Sequence, residues 1–413
     1  MNILEFKNCL HSNKNLVGGK CSSLGELYHL STKYNFNIAD GFATTTILYD
    51  DYLKYNNLTK LFEDTFIDIK TTDIKELEEI SNNISTKIIN GDFTIKQTND
   101  IRYYYKQLCK KYNNNVSGVD GVDGIDNIDR IDNIDNIDVA IRSSAISEDL
   151  PNASFAGQHD TFLNIQGINN VLLYIKHCIA SLFNVRAISY RISHNIKLED
   201  IKISIAVQKM VRSDIGSAGV AFSIDPETGY DKAIVINSSF GLGELVVSGG
   251  VKPDEIICNK STLIDNYDPI VMKKLGDKNT KIVYNNNNGT IEVTTNENEK
   301  KNYSITEEQS ILLSKYILDL EQSYSNLYNK KIAIDVEWGI DGIDNKIYIL
   351  QVRPETVYSN QNETELATYI LDEQSTILLK GVAVGDKISS GNISILNSFE
   401  EACNFKKGDI LVT

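Results

Sequence analysis

A mixed α+β fold is the expectation for this 413-residue chain, and three observations carry it. Residues 332–353, IAIDVEWGIDGIDNKIYILQVR, read as two β-rich runs, 332–338 and 346–353, joined by a Gly/Asp/Asn turn. That is the signature of a hairpin. Further β-rich segments recur between positions 139 and 244, whereas 51–112, 167–195 and 306–328 have helical spacing.

Taken in order, LVGGK (16–20) reads as a glycine turn and SSLGELYHL (22–30) as a helix. GFATTTILY (41–49) reads as strand then helix, and 51–112 as a mostly helical region rich in Lys, Asn and Tyr. Residues 118–138 are seven copies of a tripeptide, GVD GVD GID NID RID NID NID, with an Asp at every third position. Calcium-binding β-helix repeats have a period of about nine residues with glycine pairs, which this is not. The expectation is a low-complexity surface insertion, and Asn runs such as 285–288 fit a compositional bias. VAIRSSA (139–145) is a short buried-type strand ending in an arginine and hydroxyls, and IAVQKMV (205–211) is an apolar strand. GVAFSIDP (219–226) and AIVINSSFGLGE (233–244) continue the β-rich region, and an amphipathic helix precedes the hairpin. A polar linker follows Val357, and a Gly-punctuated β pattern then runs to GDILVT, too short to bury a core of its own.

Composition narrows the function classes. A formal charge of −15 argues against nucleic acid or an anionic membrane surface as partner, since both would be repelled. It leaves room for an anionic ligand in a local basic pocket. The six cysteines show no CxxC pair and the five histidines no HExxH, so no metal-finger or metalloprotease spacing is present. No signal-type apolar region opens the chain, and no run of about 18 apolar residues suggests a span, so a cytoplasmic protein is expected.

Four segments carry candidate chemistry. In the hairpin, Asp335 and Glu337 share one face, as do Gln351 and Arg353. If those faces coincide, two carboxylates, an amide and a guanidinium converge, a set able to bind Mg²⁺ and meet a phosphate. A solvated, charged hairpin face would give the same pattern. Gly18, Gly19 and Lys20 precede a helix, which suits an anion, although an exposed turn would read alike. This is not a P-loop, because Lys14 and Cys21 stand where a glycine and a hydroxyl are needed. Arg142 beside Ser143 and Ser144 is compatible with phosphate binding or with an ordinary ion pair. SFAGQHDTF (154–162), with Gly157, can close over phosphates as a flap. His159 receives no role, and GLGE (241–244) lacks the third glycine of a dinucleotide fingerprint.

The order and wording of these stretches resemble one family. VGGKCSSLGEL, DGFATTT, VAIRSSAISEDLPNASFAGQHDTFLNIQG, SLFNVRAISYR, VQKMVRSDIGSAGVAFSIDPETGY, FGLGELVVSGGVKPDE and DVEWGID with YILQVRPETV are similar to the N-terminal part of phosphoenolpyruvate synthases (pyruvate, water dikinases). Pyruvate phosphate dikinase and rifampicin phosphotransferase are more distant likenesses. The matching stretches cover most of 16–358 except 51–138.

The resemblance implies an ATP-grasp fold, two α+β lobes sandwiching ATP, with lobes at 1–204 and 205–358. A linker at 359–377 and the truncated start of a swivelling phosphohistidine domain at 378–413 would follow. It implies that Lys20 and Arg142 hold phosphates and that Gly157 and Thr161 form a phosphate-covering loop. Gln208 would lie at the lobe hinge beside adenine. Asp335 and Glu337 would carry Mg²⁺ with help from Gln351, and Arg353 would stabilise the transferring phosphoryl groups. In the family, ATP pyrophosphorylates a histidine, water removes one phosphate, and pyruvate in a barrel domain receives the other. No histidine follows His194, so the acceptor and the barrel would have to come from elsewhere, for instance a separate polypeptide. A noncatalytic ATP-binding module, or the ATP-binding part of a pyruvate phosphate dikinase, are the alternatives. The 27 residues between Arg353 and Gly381 leave no room for the antibiotic-binding domain of the phosphotransferase.

Overall fold

Two β-sheets of different size, joined by one long helix, organise the chain. A computed structural model describes residues 1–66, 73–113, 136–146, 149–150, 153–154, 160–194, 196, 201–286, 288–355, 376, 388–396, 405–406 and 408–412. The first sheet has five antiparallel strands in the order Ile3–Glu5, Gly41–Thr44, Ile203–Lys209, Val139–Ala145 and Thr161–Ile165. The second has seven, in the order Ile270–Lys274, Asp254–Asn259, Ala233–Phe240, Ser217–Phe222, Ile334–Ile340, Ile347–Pro354 and Asn37–Ile38. The boundary expected at 204/205 therefore falls inside a strand of the first sheet. The central strand Ile203–Lys209 is buried on both faces, and its near-continuous apolar run carries no mark of a boundary.

Alternation along the strands sorts each sheet into two faces. On the first sheet, Val139, Ile141, Ile203, Ile205 and Val207 pack against helices Thr46–Tyr55, Ile74–Asn90, Ile95–Asn113 and Ile168–Ser181 in one core. Each fully buried Ile or Val contributes about 1.5–3 kcal/mol before chain entropy is counted. Ala140, Arg142 and Ser144 point the other way. On the second sheet, Ile334, Val336, Trp338 and Ile340 pack against helix Glu307–Leu327. That helix starts where Thr306 and Gln309 form a capping box, and it buries Leu313, Ile317, Leu320 and Tyr324 at helical spacing.

Helix Lys14–Tyr34 wedges between the sheets. Ser204 donates to the Cys21 sulfur at 3.5 Å from the first sheet, and Ser23 donates to the Val352 carbonyl at 2.5 Å on the second. A second tie is the hairpin Thr280–Tyr284/Thr290–Thr294. The Leu242 amide donates to the Ile282 carbonyl, and Asn164 of the first sheet donates to the Asn285 and Gly289 carbonyls at 3.1 and 2.9 Å. Asn288 sits at φ +72° and accepts the Gln166 amide at 2.7 Å. Part of the Asn run set aside as compositional bias is thus a turn that docks this hairpin on the first sheet, using asparagine's tolerance of left-handed backbone.

The described part of the C-terminal region contains a parallel pair, Ile393–Ile395 with Ile410–Val412. The expected linker lies outside the described residues apart from Thr376. Among the described residues, the stretch Ile168–Ile192 is long and apolar enough to cross a membrane, contrary to the expectation that no such run exists. Its most apolar window is 56% buried, and it comprises the core helices Ile168–Ser181 and Val185–His194.

Most of the repeat lies outside the described residues, but its last tripeptide does not. Ile137 is 4% exposed, so the surface insertion expected over 118–138 stops short of that residue. Deleting 118–135 should leave the thermal midpoint within about 1 °C of the parent, while extending the deletion to 138 should lower it by several degrees. Equal midpoints for both deletions would refute a structural role for the last tripeptide.

Candidate functional site

The hairpin strands Ile334–Ile340 and Ile347–Pro354 pair so that Asp335 faces Arg353 and Glu337 faces Gln351 directly across the ladder. The register shifts after Glu337, where the partner strand carries Leu350 as an extra residue, while Trp338 keeps the alternation of its own strand and lies in the core at 1% exposure. All four polar side chains therefore share the face turned towards the first sheet. Arg142 comes from that sheet to meet them. One Nη2 donates to Glu337 Oε2 at 2.7 Å and to Gln351 Oε1 at 2.8 Å, and Nη1 donates to Gln208 Oε1 at 3.3 Å. Next door, Arg353 Nε donates to Asp335 Oδ2 at 2.6 Å. Thr161 is the cross-strand neighbour of Arg142 and is exposed.

Lys20 enters from the joining helix. Gly18 breaks that helix at φ +71°, and the turn docks on Ser144, two residues from Arg142 on the same strand face. Ser144 Oγ donates to the Val17 carbonyl at 2.8 Å and accepts the Cys21 amide at 3.1 Å. Lys20 follows this turn and lies within electrostatic reach of Glu337.

The two carboxylates differ in character. Burial pushes Glu337 up, but Arg142, Lys20 and Arg353 outweigh it and hold the group below the usual carboxylate range. Burial also pushes Asp335 up, to about 6, because only Arg353 opposes it while Glu337 and Glu355 add negative charge. At neutral pH both carry charge, but Glu337 is held charged by its neighbours whereas burial works against the charge on Asp335.

Residues 14–373 match the family described as pyruvate phosphate dikinase, AMP/ATP-binding domain. The chain belongs to that family. It is 37% identical over 404 residues to the phosphoenolpyruvate synthase of Aquifex aeolicus, covering 96% of this chain and 45% of the relative. The Helicobacter pylori phosphoenolpyruvate synthase is 38% identical over 417 residues, covering 99% and 49%. That of Escherichia coli is 36% identical over 401 residues, covering 96% and 47%. The chain spans about half the length of these relatives.

In this AMP/ATP-binding domain the expected residues Lys20, Arg142, Thr161, Gln208, Asp335, Glu337, Gln351 and Arg353 come together where the two sheets face each other. Gly157 and His159 lie outside the described residues. Gln208 is 3% exposed, and its amide also donates to the Ala39 and Leu350 carbonyls at 3.2 and 3.5 Å. Its polar atoms are spent on Arg142, on the loop at Ala39 and on the second sheet at Leu350. Sequence reasoning missed Glu355, which is 9% exposed and adds negative charge near Asp335. The period of two does not reach it, because proline precedes it and the strand ends there.

Asp335 supports a pH prediction. Its folded value lies above its unfolded one, so its contribution destabilises the fold at neutral pH and is relieved as pH falls through about 6. In ligand-free protein, Asp335→Asn should therefore be more stable than the parent at pH 7.5, and the gap should close by about pH 4, near the unfolded carboxyl value. Urea midpoints measure it. A variant less stable than the parent at pH 7.5 would show that the Arg353 contact outweighs burial.

Proposed function

We propose that the chain is the ATP-activating portion of a pyruvate, water dikinase, with an ATP-grasp architecture of two lobes around the cleft. The single observation that carries this reading is the Arg142 guanidinium of one sheet held by Glu337 and Gln351 of the other. The names of the relatives support the water-dependent enzyme over the phosphate-dependent one. Asp335, Glu337 and the Gln351 amide oxygen form an all-oxygen donor set that fits Mg²⁺. Bound there, the ion would neutralise charge shared among the transferring phosphates.

The chain's own residues would do the rest by position and charge, as phosphoryl transfer demands. Each carboxylate is matched to an arginine. On this reading Asp335 and Glu337 would hold the metal, and Arg142, Arg353 and Lys20 would hold phosphate oxygens. Gln208 keeps Arg142 aligned. Arg353, half-exposed at the cleft edge, is placed to meet the outer phosphoryl groups. The parallel strand pair at 393–412 fits the start of a swivelling phosphohistidine domain, and a domain of that kind supplied in trans would accept the pyrophosphoryl group with release of AMP.

Calorimetry with ATP, with and without Mg²⁺, tests the binding step, and AMP release on adding a histidine domain tests the transfer. Arg353→Lys should slow transfer about 100-fold while leaving Mg·ATP affinity within about threefold, because lysine cannot reproduce a bidentate guanidinium contact. Transfer at the parental rate would remove Arg353 from the chemistry. ATP binding without AMP release from any histidine domain would favour a noncatalytic module.

A further inference from the structure

The last residue of the tripeptide repeat is tied to both lobes. The Asp138 carbonyl accepts the Met210 amide at 3.0 Å, Oδ1 accepts Lys209 Nζ at 2.7 Å, and Oδ2 accepts the Tyr284 hydroxyl at 2.6 Å. Lys209 Nζ also donates to the Met210 carbonyl at 2.8 Å. Just upstream, the Tyr105 hydroxyl donates to the Ile137 carbonyl at 2.9 Å and anchors this short segment to the first core. Lys209 ends the central strand of the first sheet, and Tyr284 ends a strand of the hairpin that clasps the two lobes.

These ties border a small apolar cluster of Ala140, Met210, Leu242, Leu163, Ile282 and Tyr284. Ala140 and Leu163 stand two positions from Arg142 and Thr161 along their strands, so they belong to the same cleft-facing side. The side of the first sheet that faces the second is therefore charged at one end and apolar at the other. A triphosphate suits the first and the faces of a purine ring suit the second. Tyr284 is itself braced: the Arg212 guanidinium lies 4.8 Å over its ring, and Asp214 holds Arg212 through two hydrogen bonds of 2.8 and 3.0 Å.

Resting on the nucleotide reading above, we propose that Asp138 is a positioning residue for the nucleobase, fixing Met210 and Tyr284 at the spacing the base requires. The physical reason is its reach. One largely covered carboxylate, 16% exposed, satisfies an ammonium from one lobe and a hydroxyl from the other. Without it, Lys209 and Tyr284 must find new partners and the hairpin is released from the hinge strand. The Arg142–Glu337–Gln351 contacts at the charged end are untouched by that change.

The test compares two ligands on the full chain by calorimetry, Mg·ATP and Mg·tripolyphosphate, which lacks the base and ribose. Asp138→Asn and Tyr284→Phe should each weaken Mg·ATP about tenfold, corresponding to the loss of one charge-assisted hydrogen bond. Both should leave Mg·tripolyphosphate within about twofold of the parent. A merely structural role would weaken both ligands alike, and that result, or no change in either, overturns the assignment. Should Asp138→Asn fail to fold, Tyr284→Phe deletes a single hydroxyl and carries the same comparison. A parent chain that binds neither ligand would instead sink the nucleotide reading, and the role of Asp138 with it.

Discussion

Replacing Glu337 with alanine is expected to abolish magnesium-dependent ATP binding while leaving the protein folded. Glu337 holds the central place in the cleft: it faces Gln351 on the neighbouring strand, and its carboxylate accepts Arg142 from the other sheet at 2.7 Å. Three cations keep it charged despite its burial, which is the condition for a carboxylate to serve a metal at neutral pH. Removing it should weaken Mg·ATP by about 100-fold or more, at the upper end of what metal-site perturbations produce. The fold is buffered against the loss, because Arg142 keeps the Gln351 and Gln208 oxygens as acceptors. The stability cost should then be about 1–2 kcal/mol, below the 3–5 typical of a fully buried pair stripped of one partner. Glu337→Gln separates the two effects, since the amide oxygen still accepts from Arg142 but supplies no charge to a metal. Calorimetry in the presence and absence of Mg²⁺, with urea unfolding alongside, measures both. An alanine variant that binds Mg·ATP like the parent would remove Glu337 from the metal set and leave the cleft as a structural ion-pair cluster.

The hairpin shows how much of this was legible beforehand. Its two runs, its turn and the placing of Asp335, Glu337, Gln351 and Arg353 on one face follow from a period of two, and the register pairs them as that period demands. Arg142 was legible as a residue type at the end of a strand, but its partners were not. Glu337 lies 195 positions away and Gln351 lies 209 away, and no local pattern reports contacts at such separations. The boundary expected at 204/205 likewise cuts the strand Ile203–Lys209, whose apolar run gives no sign of where one sheet's residues end. The strands Asp254–Asn259, Ile270–Lys274, Thr280–Tyr284 and Thr290–Thr294 also went unread. The last three are half-covered and rich in Lys, Thr and Glu, so neither alternation nor hydrophobicity marks them. Asp138 and Asn288 were concealed differently. Each sits in a biased stretch whose composition speaks for looseness, yet each makes specific bonds to a distant strand.

Gly18→Ala should be a strongly damaging single methyl group, and its effect should reach both stability and ligand. Gly18 lies at φ +71°, a conformation that costs an L-residue about 1–2 kcal/mol. A Cβ there would also fall 2.2 Å from the Ser144 carbonyl oxygen and 2.5 Å from Ser144 Oγ. The turn must therefore lift from the strand, breaking the bonds from Ser144 to Val17 and from Cys21 to Ser144. Together these terms predict a loss of about 3 kcal/mol or more. Lys20 moves with the turn, away from Arg142 and Glu337, so Mg·ATP affinity should fall with stability. Lys20→Ala gives the contrast: affinity falls while the unfolding midpoint holds, because only a partly covered ammonium is removed. Ser144→Ala in the Gly18→Ala background should rescue little, since the nearer obstacle is main-chain oxygen rather than the hydroxyl. Full rescue by Ser144→Ala would mean that the hydroxyl alone is in the way. A Gly18→Ala protein with parental stability and affinity would show that the turn neither rests on Ser144 nor carries Lys20 into the cleft.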